Sequence, residues 1–326
     1  MQKILNRLWK GWELKELLGE GSFGKVYRIE KTEFGHTYES ALKVIAIPKS
    51  QSEITPIVTV GMDEANIEEY LYSIVEELVD EFALMAKLRG HSHIVSYEDH
   101  GVVPFEKGIG WYLCVRMELL TPLLVYEKEH PFSEADVVRL GIELCDALEA
   151  CEKYNIIHRD LKPENIFVND LGQFKIGDFG VSKQMEKTSQ AFSRKGTTSF
   201  MAPEVFTGGK GDKVSDLYSL GIVLYLFLNH YRLPFYPDYP ALIRYADKER
   251  ADSMRLSGCK IPKPNQASRE VGQVVRKACA YEPRQRYQSA GAMKRALEEV
   301  QSIAEQGKSV EDGTAEDFPR KKEKLR

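Results

Sequence analysis

The sequence predicts a two-lobed α+β protein: a small N-terminal antiparallel sheet with one long helix, then a larger, mainly helical lobe, with a cleft between them. Three observations carry this. At 326 residues the chain is too long for one small core. Strand-forming runs fill residues 12–47, whereas helical spacing dominates beyond residue 122. The change of character falls at 118–122.

In chain order, the segment KVYRIEKTEFGHTYESALKVIAI holds two β-rich runs around a polar turn at Glu33, Phe34 and Gly35, as in a hairpin. Residues 50–61 read as a loop. A long helix is expected from Asp63 to Arg89, with Ile67, Leu71, Ile74, Leu78, Phe82 and Met85 three or four residues apart. Ile94 to Tyr97 and Trp111 to Glu118 read as further strands. Ser133, with Asp136 three residues on, caps a helical run from Glu134 to about Tyr154. The lobes are therefore placed at 12–117 and 123–300, joined by a hinge at 118–122. Residues 301–326 form a charged tail, the end of the last helix followed by a disordered segment.

Composition excludes several classes. A net charge of −4 gives no nucleic-acid footprint. The five cysteines form no CxxC pair and no zinc-like cluster, so reduced, buried thiols in a cytoplasmic protein are expected. His91, His93 and His100 lack the partners of a metal site and read as loop residues. The N-terminus has no secretory pattern. The longest apolar run, Leu220 to Leu228, is short of the ~18 residues that span a bilayer and reads as a buried helix. The basic end, Arg320 to Arg326, reads as a solvated tail, the other reading being a juxtamembrane segment of a longer, membrane-tethered chain.

Gly19, Glu20, Gly21, Ser22, Phe23, Gly24, Lys25 and Val26 make a GxGxxGxV loop. Alone it is weak, because a dinucleotide-binding fold opens with the same glycines. That fold needs a helix after the third glycine, whereas Val26 to Ile29 continues as a strand, which favours a hairpin lid over phosphates. Glycine lets the backbone approach phosphate oxygens with no Cβ in the way. Ala41, Leu42, Lys43 and Val44 follow on the next strand and match the VAIK pattern whose lysine pairs the α- and β-phosphates. Glu81 shares the inner helix face with Ile74, Leu78 and Met85. A carboxylate there is costly unless paired, and Lys43 is the expected partner; Glu77 is the alternative.

The string His158-Arg159-Asp160-Leu161-Lys162-Pro163-Glu164-Asn165 is followed by Asp178-Phe179-Gly180, Gly196-Thr197 and Met201-Ala202-Pro203-Glu204. With these motifs in this order, the chain resembles the eukaryotic-like serine/threonine protein kinases over residues 12–300. The texture of RMELLTPL and KACAYEPRQRYQSA is most similar to bacterial, Firmicutes-type members.

The resemblance implies a two-lobed protein kinase fold with an ATP cleft between the lobes, and ATP with Mg2+ (Mn2+ as a substitute) as cofactors. It assigns Asp160 to the substrate hydroxyl proton, Lys162 to the γ-phosphate, and Asn165 and Asp178 to the metal ions. Lys43 holds the α/β-phosphates, Glu81 orients Lys43, and Thr197 bridges the substrate platform to the catalytic residues. Leu18, Val26 and Ala41 cover the adenine from above and Phe167 from below. Met117 sits at the gatekeeper position, with the backbone of Glu118 and Leu120 as hinge partners. For Met117 and Phe167, plain core packing is an equal reading. Glu204 with Arg286 resembles a structural ion pair, and Asp216 resembles the carboxylate that supports the His158–Asp160 backbone. LKPEN is the serine/threonine form, so protein Ser/Thr hydroxyls are the expected acceptors.

Arg159 before Asp160 implies control by phosphorylation of the 178–204 segment, with autophosphorylation expected first at Ser193, then at Thr188, Ser189 or Thr198. The extended helix offers a surface for regulation or a homodimer. Two rivals stand beside this reading. One is a catalytically silent pseudokinase acting as a nucleotide-binding scaffold, against which Lys43, Asp160, Asn165 and Asp178 are all present. The other is a small-molecule phosphotransferase, against which stands the 196–204 platform.

Overall fold

Hairpin chemistry and strand alternation build the first lobe of the computed structural model, which describes residues 1–21, 24–50, 53–54, 63–179 and 198–313. Strands β1 (Glu13–Gly21), β2 (Gly24–Glu33) and β3 (His36–Ile47) are antiparallel neighbours. The β2–β3 turn is Phe34 and Gly35, both at positive φ, which matches the right-handed twist of the strands it joins. After helix α1 (Gln2–Leu8) and helix α2 (Glu64–Lys87), β4 (Tyr97–Pro104) and β5 (Trp111–Met117) complete a five-stranded sheet in the order β1-β2-β3-β5-β4.

Because successive strand residues point to opposite faces, β3 sends Ile45 and Ile47 inward and Leu42 and Val44 outward. Lys43 therefore lies on the inner face. Helix α2, capped by the Asp63 side chain on the Asn66 amide, covers that face with Ile67, Leu71, Ile74, Leu78 and Phe82. The outer face is covered by α1. Leu5 is buried against Ile29, Leu42, Val44 and Cys114, and Ile4, Leu8, Trp9 and Trp12 pack around it. Nothing in the sequence reading anticipated α1. It is seven residues long with no side-chain cap, too short to hold as a helix without the sheet beneath it.

One strand boundary and the reach of the last helix differ from expectation. Ile94 and Val95 lie outside β4, which starts at Tyr97. They are apolar because they are buried between the lobes, where Ile94 bridges to Ile176 and the Val95 amide donates to the Ile176 carbonyl at 2.9 Å. The last helix, α9 below, runs to Gly313 and so carries well into the expected tail.

The second lobe opens with β6 (Thr121–Pro122) and α3 (Leu123–Glu129). Helix α4 (Glu134–Lys153) starts with a full capping box between Ser133 and Asp136, as its sequence predicts. Strands β7 (Ile166–Val168) and β8 (Phe174–Ile176) pair into a small sheet with β6. Helices α5 (Pro203–Phe206), α6 (Lys213–Phe227), α7 (Tyr245–Leu256), α8 (Arg269–Ala278) and α9 (Ala290–Gly313) follow. Helix α6 is buried on nearly every side, which accounts for the apolar run at its C-terminal end. Among the described residues no helix is long and apolar enough to cross a membrane. Cys114, Cys145, Cys151 and Cys279 are buried free thiols; Cys259, also free, is exposed, contrary to the expectation for it.

Candidate active site

A buried carboxylate organises the His158–Asp160 turn. Asp216, on α6, accepts the amides of His158 at 2.7 Å and Arg159 at 2.8 Å. Burial pushes its carboxyl above the ordinary range, partly offset by His158 and the two amides. Those two bonds fix a backbone in which Arg159 sits at φ 68, a conformation side-chain-bearing residues rarely adopt. The ring of His158, itself buried, meets the Gly177 carbonyl at 2.9 Å and so ties this turn to the segment that follows β8.

Asp160 is buried at the end of that turn, and its Oδ2 accepts from Lys162 Nζ at 2.8 Å and Asn165 Nδ2 at 2.9 Å. The Asn165 amide also donates to the Asp160 carbonyl at 2.7 Å, which fixes its rotamer. Asn165 immediately precedes β7 and Asp178 stands just beyond β8, so one short hairpin presents both from neighbouring ends. The Gly177 amide donates to the Asn165 carbonyl at 2.9 Å.

Asp178, also at positive φ, reaches across to the first lobe, where Lys43 Nζ donates to its Oδ1 at 2.6 Å. Burial alone would raise the Asp178 carboxyl. The Lys43 ammonium outweighs it and holds the group below its ordinary value. The Asp178 side chain keeps 34% of its surface open, whereas that of Lys43 keeps 7%. Lys43 is thus paired with Asp178, the Gly177 backbone beside Asp178 is bonded to Asn165, and Asn165 and Lys162 both hold Asp160.

Glu81 departs from expectation. It lies on the inward face of α2, but Lys43 makes its ion pair with Asp178 and not with Glu81. Glu81 instead lines a cavity of about 120 Å3 with Leu84, Met85, Leu88, Arg159 and Phe179. Burying one ammonium requires one carboxylate, and Asp178 fills that need here. The Phe179 ring is buried against His158, 4.7 Å between centroids, beneath the same helix.

The glycine loop divides into two kinds of position. At Gly24, φ is 133 and an added Cβ would collide with the Val44 carbonyl, so the fold itself demands glycine. At Gly19 and Gly21 an added Cβ would meet nothing within 4 Å, leaving open space beside the backbone. Glu20 and Lys25 are exposed and form a 3.4 Å ion pair. Leu18 is exposed, Val26 half-buried and Ala41 buried on the strands above. Phe167 lies below, close enough that a Cβ on Gly177 would clash with its ring. Met117 is half-buried and packs on the core. The Glu118 amide donates to the Ser96 carbonyl at 3.1 Å, and its carboxylate takes Lys175 Nζ at 2.7 and 2.9 Å; Leu120 is half-buried beside it. This donor set suits a nucleotide with Mg2+. An amide oxygen of Asn165 and the open carboxylate of Asp178 are hard oxygen ligands, and the space at Gly19 and Gly21 admits phosphate oxygens. Ser22, Phe23, Thr197, Thr188, Ser189 and Ser193 lie outside the described residues; Thr198 is half-buried.

Below the cleft, Arg286 takes Glu204 through two 2.7 Å bonds and is fully buried. Two positioning residues escaped the sequence reading. Lys175, buried in β8, fixes Glu118; a lysine inside the apolar run Phe174–Ile176 was the available signal. Arg255, on α7, donates to the carbonyls of Met201 at 2.5 Å and Thr198 at 2.8 Å. Its role depends on tertiary contacts that no local pattern marks. His91, His93 and His100 turn to separate partners: the Asp146 carboxylate, the Phe174 carbonyl and the Tyr97 hydroxyl.

The family model described as "Protein kinase domain" matches residues 12–298. The chain is 31% identical over 178 residues to a probable serine/threonine-protein kinase of Corynebacterium efficiens, covering 53% of this chain and 27% of that protein. It is 33% identical over 181 residues to a probable serine/threonine-protein kinase of Clostridium perfringens, covering 54% and 25%. To human ribosomal protein S6 kinase alpha-6 it is 28% identical over 285 residues, covering 86% and 33%. The chain therefore spans a quarter to a third of the length of these curated relatives.

Proposed function

The chain belongs to the protein kinase domain family, and from that premise we propose that it transfers the γ-phosphoryl group of ATP to serine and threonine hydroxyls of protein substrates. The observation that carries this reading is the set of contacts that leads from Lys43 to Asp178, through the Gly177 backbone to Asn165, and on to Asp160 and Lys162.

Phosphoryl transfer asks a protein for positioning and charge neutralisation more than for covalent chemistry. Asp160, held by Lys162 and Asn165, orients the acceptor hydroxyl and receives its proton. Lys162 lies beside it to neutralise charge on the transferred group. Asn165 and Asp178 offer oxygens to Mg2+, or to Mn2+ in its place, which when bound neutralises the phosphate oxygens. The backbone at Gly19 and Gly21 lies over the phosphates. With a metal bound, Asp178 would be one of the residues that hold it, and Lys43 would pair the α/β-phosphates with Glu81 on the facing helix as its partner. Ala41 and Phe167 bracket the adenine, and the backbone at Glu118 and Leu120 takes its polar edge. Arg159 stands ready for a phosphate on the 178–204 segment, with Ser193 the first candidate for autophosphorylation. The free thiols support a cytoplasmic setting.

The test is incorporation of radiolabelled phosphate from ATP into a generic basic protein and into the chain itself, comparing wild type with Asp160→Ala. Labelling should fall by about 100-fold or more in the variant. Equal labelling in both would support the nucleotide-binding scaffold instead.

A further inference from the structure

Away from the cleft, α7, α8 and the segments following them enclose a cavity of about 610 Å3, within the size range of ligand pockets. Its walls carry Arg255, Lys260, Arg276 and Lys277, and among the described residues no aspartate or glutamate lines it. This concentration of positive charge stands out in a chain of net charge −4. Two of the cations are already engaged. Arg255 holds the Thr198 and Met201 carbonyls and lies 3.7 Å from Asp252, and Lys277 sits 4.4 Å over the Tyr287 ring.

Arg276 differs. Among the described residues its guanidinium makes no ion pair and no hydrogen bond, and although its Nε is sealed off, its two Nη groups are not, at the wall of the cavity. A guanidinium whose Nη donors meet no acceptor in the chain can give them to a ligand. Exposed Lys260 faces the same space from the loop after α7. A planar guanidinium fork beside a flexible ammonium is the pairing that takes a phosphate: the fork binds two oxygens and the lysine adds a point charge. The cavity exceeds the volume of a phosphate, and the Tyr281 ring at its edge offers a face for whatever carries the group.

We infer that this cavity is a binding site for a phosphate-bearing ligand, held by Arg276 and Lys260. An occupant would also touch Arg255, the side chain that fixes residues 198–201 ahead of α5.

The test uses the full chain with its cleft saturated by Mg2+ and a non-hydrolysable ATP analogue, so that the outcome is independent of the proposed activity. Inorganic phosphate, glucose 6-phosphate and a phosphoserine hexapeptide are titrated calorimetrically at constant ionic strength into wild type, Arg276→Ala, Arg276→Lys, Lys260→Ala and Lys10→Ala. One saturable site is expected, with affinity reduced about tenfold or more in Arg276→Ala and Lys260→Ala. Arg276→Lys should fall between, having kept the charge and lost the fork, and Lys10→Ala should match wild type. The tighter of the two carriers, sugar or peptide, identifies the source of the phosphate. No saturable binding, or an equal loss in Lys10→Ala, overturns the site. Unchanged melting temperatures would separate a binding defect from misfolding, and an intact Arg276→Ala that binds as well as wild type also overturns it.

Discussion

Lys43 and Asp178 form a 2.6 Å ion pair between the two lobes, one partner from the sheet of the first lobe and the other from beyond the small sheet of the second. Lys43 is nearly enclosed while Asp178 stays open to the cleft on one side. The pair therefore makes this contact between the lobes depend on the charge state of a carboxylate.

The pH dependence of this pair has a defined sign. The Asp178 carboxyl is held below its ordinary value of 3.8, so folding favours its ionised form. Its contribution is fully present above about pH 4 and is lost as pH falls through the lowered value. The melting temperature of wild type should exceed that of Asp178→Asn by a constant margin from pH 7 to about 5, and the margin should close below about pH 4. A margin that stays unchanged down to pH 2 would contradict the pairing.

The glycine loop should show two distinct responses to alanine. Gly24→Ala meets both a positive φ and the Val44 carbonyl, and should destabilise the chain by about 1–3 kcal/mol in urea unfolding. Gly19→Ala and Gly21→Ala place their methyl groups in open space. They should alter stability by less than about 0.5 kcal/mol while weakening nucleotide binding. Equal destabilisation at all three positions would remove the distinction.

Removing one partner of the Glu204–Arg286 pair leaves an uncompensated charge, and Arg286 is fully buried. Either Glu204→Leu or Arg286→Met should lower the unfolding free energy by about 3–5 kcal/mol. The double variant should lose less than the sum, with a coupling energy of about 1–3 kcal/mol in a double-mutant cycle. Additive losses would show that the two bonds carry no coupled energy.

Helix α1 seals the outer face of the sheet, with Leu5 at 1% exposure. Leu5→Ala should cost about 2–5 kcal/mol, measured by chemical denaturation. Deleting residues 1–8 should cost at least as much, because it also uncovers Ile29, Leu42 and Val44. A chain without α1 that unfolds at the wild-type midpoint would show that the helix is peripheral.

Most of the fold and much of the site were legible because their determinants are local. Helix α2 announces itself through its apolar spacing, α4 through its Ser133–Asp136 cap, and the β2–β3 hairpin through Phe34 and Gly35. The strings around Asp160 and Asp178 are legible from residue type and order, although the turn before Asp160 takes its geometry from Asp216, far along the chain. Helix α1 was not legible, because its stability comes from a sheet formed by later residues. Ile94 and Val95 misled for a related reason: their apolar character reflects burial between lobes, not a place in a strand ladder.

The sequence by itself determined the order of elements, the lobes' contrasting character and which polar groups stand in tight turns, since spacing and capping act over a few residues. Only the tertiary structure decided which carboxylate Lys43 would meet, that Lys175 would secure Glu118, and that Arg255 would hold residues 198–201. A buried charge takes the complementary group that packing brings within 3 Å or so, and that distance is set by the meeting of segments far apart in the chain.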